Sequence, residues 1–127
     1  MALKDLSILV VEDEPSLELE NLLQDIGYQS VISVDNSAEA FEYIYTDQPD
    51  LILMANEIKG RYSGLQVAEK IKHLKIPILF ITSLWQQAIY DKALQTNFIG
   101  FMVKPLEPFS IRSSIELAIQ ERYINNN

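Results

Sequence analysis

Five short apolar runs punctuate the chain: "LSILVV" (6–11), "SVISV" (30–34), "LILMA" (51–55), "PILFIT" (77–82) and "IGFMV" (99–103). Each is bounded by polar or turn residues, and the first, third and fourth are apolar almost without interruption. A strand with one wet face alternates apolar and polar side chains. A continuous run of Ile, Leu and Val marks a strand covered on both faces. That requirement restricts the fold more than any other feature, because each face of such a sheet needs its own layer.

The intervening segments supply those layers as helices. In "PSLELENLLQDIG" the positions Leu19, Leu22, Leu23 and Ile26 share one apolar face, Pro15 suits a first turn and Gly27 a C-terminal stop. "NSAEAFEYIYTDQ" opens on Asn36, has Glu39 at capping-box spacing, and turns Ala40, Phe41, Ile44 and Tyr45 to one side. "SGLQVAEKIKHL" offers Leu65, Val67, Ala68 and Ile71, and "QQAIYDKALQT" offers Ile89, Ala93 and Leu94. The last segment, "EPFSIRSSIELAIQERYI", offers Ile111, Ile115, Ala118, Ile119 and the aliphatic stem of Arg122. Strand and helix thus alternate five times, the pattern of a parallel sheet with helices on both faces. Right-handed crossovers leave few arrangements, and the doubly wound order 2-1-3-4-5 puts the first and third strands centrally. The expectation is one α/β domain over residues 1–127, with residues 124–127 as a frayed end or the start of a linker.

Composition narrows the function. At 127 residues, 48% apolar and 22% charged, the chain is an ordinary core-forming globule. It has no cysteine, which excludes disulfides, thiolate metal sites and a Cys nucleophile, and which suits a reducing cytoplasm. The net charge of −8 argues against direct nucleic-acid binding, since ten Lys and Arg are scattered among eighteen acids. The short basic stretch "EKIKHLK" reads as the solvated side of a helix, with His73 at a helix end where a cation is favoured. The N-terminal apolar run is too short for a membrane span and lacks a small-residue cleavage site.

In open α/β sheets the chemistry collects beyond the carboxyl ends of the strands, where strand order reverses. Glu12 and Asp13 follow the first run, Ala55, Asn56 and Glu57 the end of the third, Thr82 and Ser83 the fourth, and Lys104-Pro105 the fifth. Hard oxygen ligands suit Mg²⁺, while a hydroxyl and an ammonium suit a phosphoryl group. By strand alternation Asn56 is expected to point away from this pocket.

On these residues the chain resembles the receiver domain of bacterial two-component response regulators, a flavodoxin-like (βα)5 fold. The likeness spans "ILVVEDEP", "PDLILM", "KG…SGLQVAEKIK", "IPILFITS" and "GFMVKPLE", five stretches in the family's order. It implies Mg²⁺ held by Glu12, Asp13 and the backbone carbonyl of Glu57, with Thr82 bonding a phosphoryl group and Lys104 neutralising it. It also implies a cis bond before Pro105 and an aromatic switch at Phe101 coupled to movement of Thr82. The phosphoryl acceptor, an Asp in the family, falls on Ala55, and a methyl group cannot attack phosphorus.

The resemblance further implies a sensor histidine kinase or phosphotransfer protein as partner. An output domain or a second copy would dock on the face of the fourth helix, fifth strand and last helix. There "SLWQQ" places Leu84 and Trp85, either at the partner surface or folded down onto the domain. Receivers promote their own phosphorylation but are not counted as enzymes, and none is expected here. Two further readings stand beside this one. A pseudo-receiver would serve as a phosphorylation-independent interaction module. A flavin- or nucleotide-binding protein of similar fold would need a phosphate loop where this chain has the acidic "EDEPS".

Overall fold

A computed structural model describes residues 5–13, 17–83 and 85–126. Pro15, Leu84 and the side chain of Arg122, each given a place above, lie outside the described residues. The elements are β1 (Ser7–Val11), α1 (Leu17–Ile26), β2 (Ser30–Val34), α2 (Ser37–Asp47), β3 (Leu51–Ala55), α3 (Gly64–Lys70), β4 (Ile78–Thr82), α4 (Gln87–Ala93), β5 (Phe98–Val103) and α5 (Pro108–Asn126). The sheet is wholly parallel, in the order β2-β1-β3-β4-β5.

The continuous apolar runs divide by parity. On one face Ile8, Val10, Leu51, Leu53, Leu79 and Ile81 meet Leu19 and Leu23 of α1 and Ile111, Ile115 and Ile119 of α5. On the other, Leu9, Val11, Ile52, Met54, Ile78 and Phe80 meet Ala40 and Ile44 of α2, Leu65, Val67, Ala68 and Ile71 of α3, and Ala93 of α4. Each fully buried Leu, Ile or Val contributes about 1.5–3 kcal/mol relative to exposure.

Local departures from the sequence reading have physical causes. Tyr45 is 50% exposed because the buried face of α2 is the narrow stripe Ser37, Ala40 and Ile44; its ring lies 6.2 Å from that of His73. Leu94 is 53% exposed because α4 ends at Ala93 and the chain turns away, with Thr96 Oγ1 donating to the Ala93 carbonyl at 2.6 Å. The expected long third helix stops at Lys70 and continues as a 3₁₀ turn over Lys72–Leu74, closed by Lys75 in the left-handed region. Strand β5 starts at Phe98, one residue early, and its register with β4 slips at Ile99. A bulge of this kind changes side-chain parity, so Phe98 and Phe101 pack on the same face although three residues apart.

The β3–α3 loop is fastened along its length. Lys59 N donates to the Asp35 carbonyl, Ser37 N to the Lys59 carbonyl, and Tyr62 N to the Oγ of buried Ser37. The Asn36 amide and the Lys59 ammonium both bond Asp35, and hold its carboxyl below its ordinary range. Gly60 sits at φ +99, with a would-be Cβ 2.6 Å from Ser37 Oγ. Ser63 and Gln66 then close a capping box at the start of α3.

Gly64, the first residue of α3, presses its backbone on the Ala55 carbonyl, where a Cβ would overlap that oxygen. Gly64→Ala should therefore lower stability by about 1–3 kcal/mol despite alanine's better helix propensity. Urea unfolding checks this, and unchanged or increased stability would refute the close approach.

Candidate functional site

The strand ends open into a cavity of about 510 Å³ lined by Glu12, Asp13, Ala55, Asn56, Glu57, Ile81, Thr82, Ser83, Gln86, Ile89 and Lys104. Each wall is set by backbone pairing. Glu12 N donates to the Val34 carbonyl at 3.1 Å, which fixes the exit of β1 against β2. Lys104 N donates to the Thr82 carbonyl at 2.8 Å, one step beyond the Thr82–Val103 pair of the β4–β5 ladder. Ala55 ends β3 opposite Ile81 and lines the cavity together with Glu12, Thr82 and Lys104. The Lys104–Pro105 peptide bond is cis.

Glu12 governs the electrostatics. Its side chain is 4% exposed, whereas Asp13 and Glu57 lie at the wet rim. Its Oε1 stands 3.0 Å from Lys104 Nζ, but off the angle that a hydrogen bond requires. The oxygen therefore has a countercharge without a hydrogen-bond donor. Lys104 is itself half exposed, its stem carrying the ammonium in from the rim.

The residues proposed from sequence for Mg²⁺ do gather at one wall, and hard oxygen donors are right in kind. Their fit to the ion is partial. Residue 55 adds no oxygen, no group of three His, Cys, Asp or Glu suited to a metal exists among the described residues, and Lys104 already faces the buried carboxylate.

Asn56 differs from its expected orientation in detail. It lines the cavity, yet its Oδ1 accepts from Leu65 N at 3.2 Å and its carbonyl from Gly64 N at 2.8 Å, so the residue ties β3 to the start of α3. Gln86 and Ile89, at the start of α4, close the far wall and were not anticipated.

Phe101 lies outside the cavity lining, in a cluster of rings. Its centroid is 5.0 Å from Phe98, 5.6 Å from Phe80, 5.5 Å from Trp85 and 5.9 Å from Tyr90. Trp85 rests edge-on against Phe101 and is 51% exposed. The aromatic density of "WQQAIY" and "FIGF" was the available signal for this cluster. Reading it required knowing that the bulge at Ile99 brings Phe98 to the same side.

Comparison with known proteins identifies the family. Residues 8–116 match the family described as the response regulator receiver domain. The sensory transduction protein LytT of Enterococcus faecalis is 36% identical over 119 residues, covering 90% of this chain and 48% of LytT. The transcriptional regulatory protein PdtaR of Mycobacterium tuberculosis is 29% identical over 115 residues, covering 88% and 56% respectively. The chain thus spans about half the length of these curated relatives. Among solved structures, the signal receiver domain of a modulated diguanylate cyclase from Desulfovibrio desulfuricans G20 superposes with a TM-score of 0.85 at 27% identity, covering 95% of this chain and 98% of that one. By fold, by the residues at its strand ends and by this match, the chain belongs to the response regulator receiver domain family.

Proposed function

We infer that this chain is a receiver module of two-component signalling that, as written, takes no phosphoryl group at the family's acceptor position. One observation carries the reading: the residue that ends β3 in the lining of the cavity, with Thr82 and Lys104, is Ala55, whose side chain is only a methyl group. Phosphoryl transfer to a receiver is a matter of placing an oxygen nucleophile in line and neutralising charge. Lys104 and Thr82, which line the same cavity, would serve the second task, and no nucleophile is offered at residue 55 for the first. The module is then a signalling component and not an enzyme. It works in the cytoplasm beside a histidine kinase or phosphotransfer protein.

A pure interaction module is the second reading, and a specific observation favours it. The α4–β5–α5 region exposes Trp85, Leu94, Val103, Phe109 and Leu117, with Phe109 81% exposed. Large apolar side chains left exposed along these elements suit a protein partner. An output domain or a second copy would cover them whether or not the cavity is charged with phosphate.

Incubation of the chain and its Ala55→Asp variant with Mg²⁺ and acetyl phosphate, followed by intact mass measurement, tests the reading. The expected result is one added phosphoryl group on the variant and none on the parent. Addition to the parent would overturn the inference; addition to neither would leave the interaction module as the better account.

Trp85 is the single tryptophan of the chain and touches Phe101. Its emission should change on phosphodonor addition in Ala55→Asp and stay constant in the parent. A constant signal in a variant whose mass shows full phosphorylation would remove Phe101 from the switch role.

A further inference from the structure

Glu12 is the one acid buried among the described residues. A carboxylate removed from water costs several kcal/mol unless a countercharge and hydrogen bonds replace its hydration. In a pocket that binds a divalent cation, the ion meets that cost. Here the positive group paired with it among the described residues is the Lys104 ammonium, 3.0 Å from Oε1. The geometry suggests why it is available. A carboxylate at residue 55 would stand in the same cavity and draw the same ammonium toward itself. The Ala55 methyl makes no such demand, and among the described residues Lys104 pairs with Glu12.

We propose that the Lys104 ammonium stands in for a divalent cation at Glu12, so that the pocket of this chain is neutralised from within and insensitive to Mg²⁺. The proposal rests on reading the cavity as a receiver pocket whose acceptor position is Ala55. An ordinary surface ion pair between two mobile side chains contributes little. This pair differs because one partner is fixed and dry, so removing the cation leaves an uncompensated buried charge. The mobile, half-exposed ammonium has somewhere else to go, and the carboxylate does not. The off-angle contact also matters: Oε1 holds a charge partner while its lone pairs remain open to a better-placed cation once the ammonium is gone.

Thermal unfolding of the parent, Lys104→Met and the double variant Glu12→Gln/Lys104→Met, each in millimolar Mg²⁺ and in chelator, tests this. A ligand stabilises only the state that it binds. The parent should melt at the same temperature with and without Mg²⁺. Lys104→Met should melt several degrees lower in chelator and recover much of the loss in Mg²⁺. The double variant should be more stable than Lys104→Met in chelator and lose the Mg²⁺ response. The proposal is overturned if the parent gains as much from Mg²⁺ as Lys104→Met does, or if removing Glu12 brings Lys104→Met no relief. Should Lys104→Met fail to fold, Mg²⁺ calorimetry on the parent decides: absence of binding heat at millimolar Mg²⁺ supports the stand-in, and saturable binding in that range overturns it. Failure here is separable from failure of the functional reading, which the mass of Ala55→Asp reports independently.

Discussion

A parallel strand buried on both faces can expose polar chemistry only at its ends. That constraint organises this molecule. Between Ile8 and Val11, Leu51 and Met54, and Ile78 and Ile81, every side chain is committed to one of two apolar layers. The positions that line the cavity lie where the strands stop: Glu12 after β1, Ala55 at the end of β3, Thr82 at the end of β4 and Lys104 after β5. Parallel strands all stop on the same side, so these positions converge without any helix having to steer them. The close seat of Gly64 on the Ala55 carbonyl and the fastening of the β3–α3 loop to Ser37 then hold the rim in place.

Electrostatics follow from that convergence. Of the acids at the rim, Asp13 and Glu57 remain hydrated, but Glu12 is enclosed by its own strand exit. Its charge has to be met, and with a methyl group at residue 55 the lysine at the end of β5 meets it. The same lysine that would neutralise a phosphoryl group in the family is here part of the resting structure.

Much of this was legible in the sequence because burial on two faces leaves a plain mark. "LILMA" and "ILFIT" could hardly be anything but central strands, and the strand boundaries match the structure to within a residue. The site residues followed from the same reading, since each lies at the end of a run. What the sequence hid depends on tertiary geometry. Helical periodicity assigned Tyr45 and Leu94 to apolar faces, yet the first falls beyond a narrow stripe and the second beyond the end of a short helix. The bulge at Ile99 has no marker in composition, and with it the five-ring cluster around Phe101 stayed invisible. Nor does any spacing rule announce that Lys104 rests on Glu12, a contact between residues far apart in the chain.

The most direct test of the account is a crystal of this chain soaked in Mn²⁺, with anomalous scattering used to locate the metal. No manganese peak is expected in the cavity, with the Lys104 ammonium on Glu12. A strong peak between Glu12 and Asp13, with Lys104 displaced into solvent, would contradict it and restore a metal-dependent pocket.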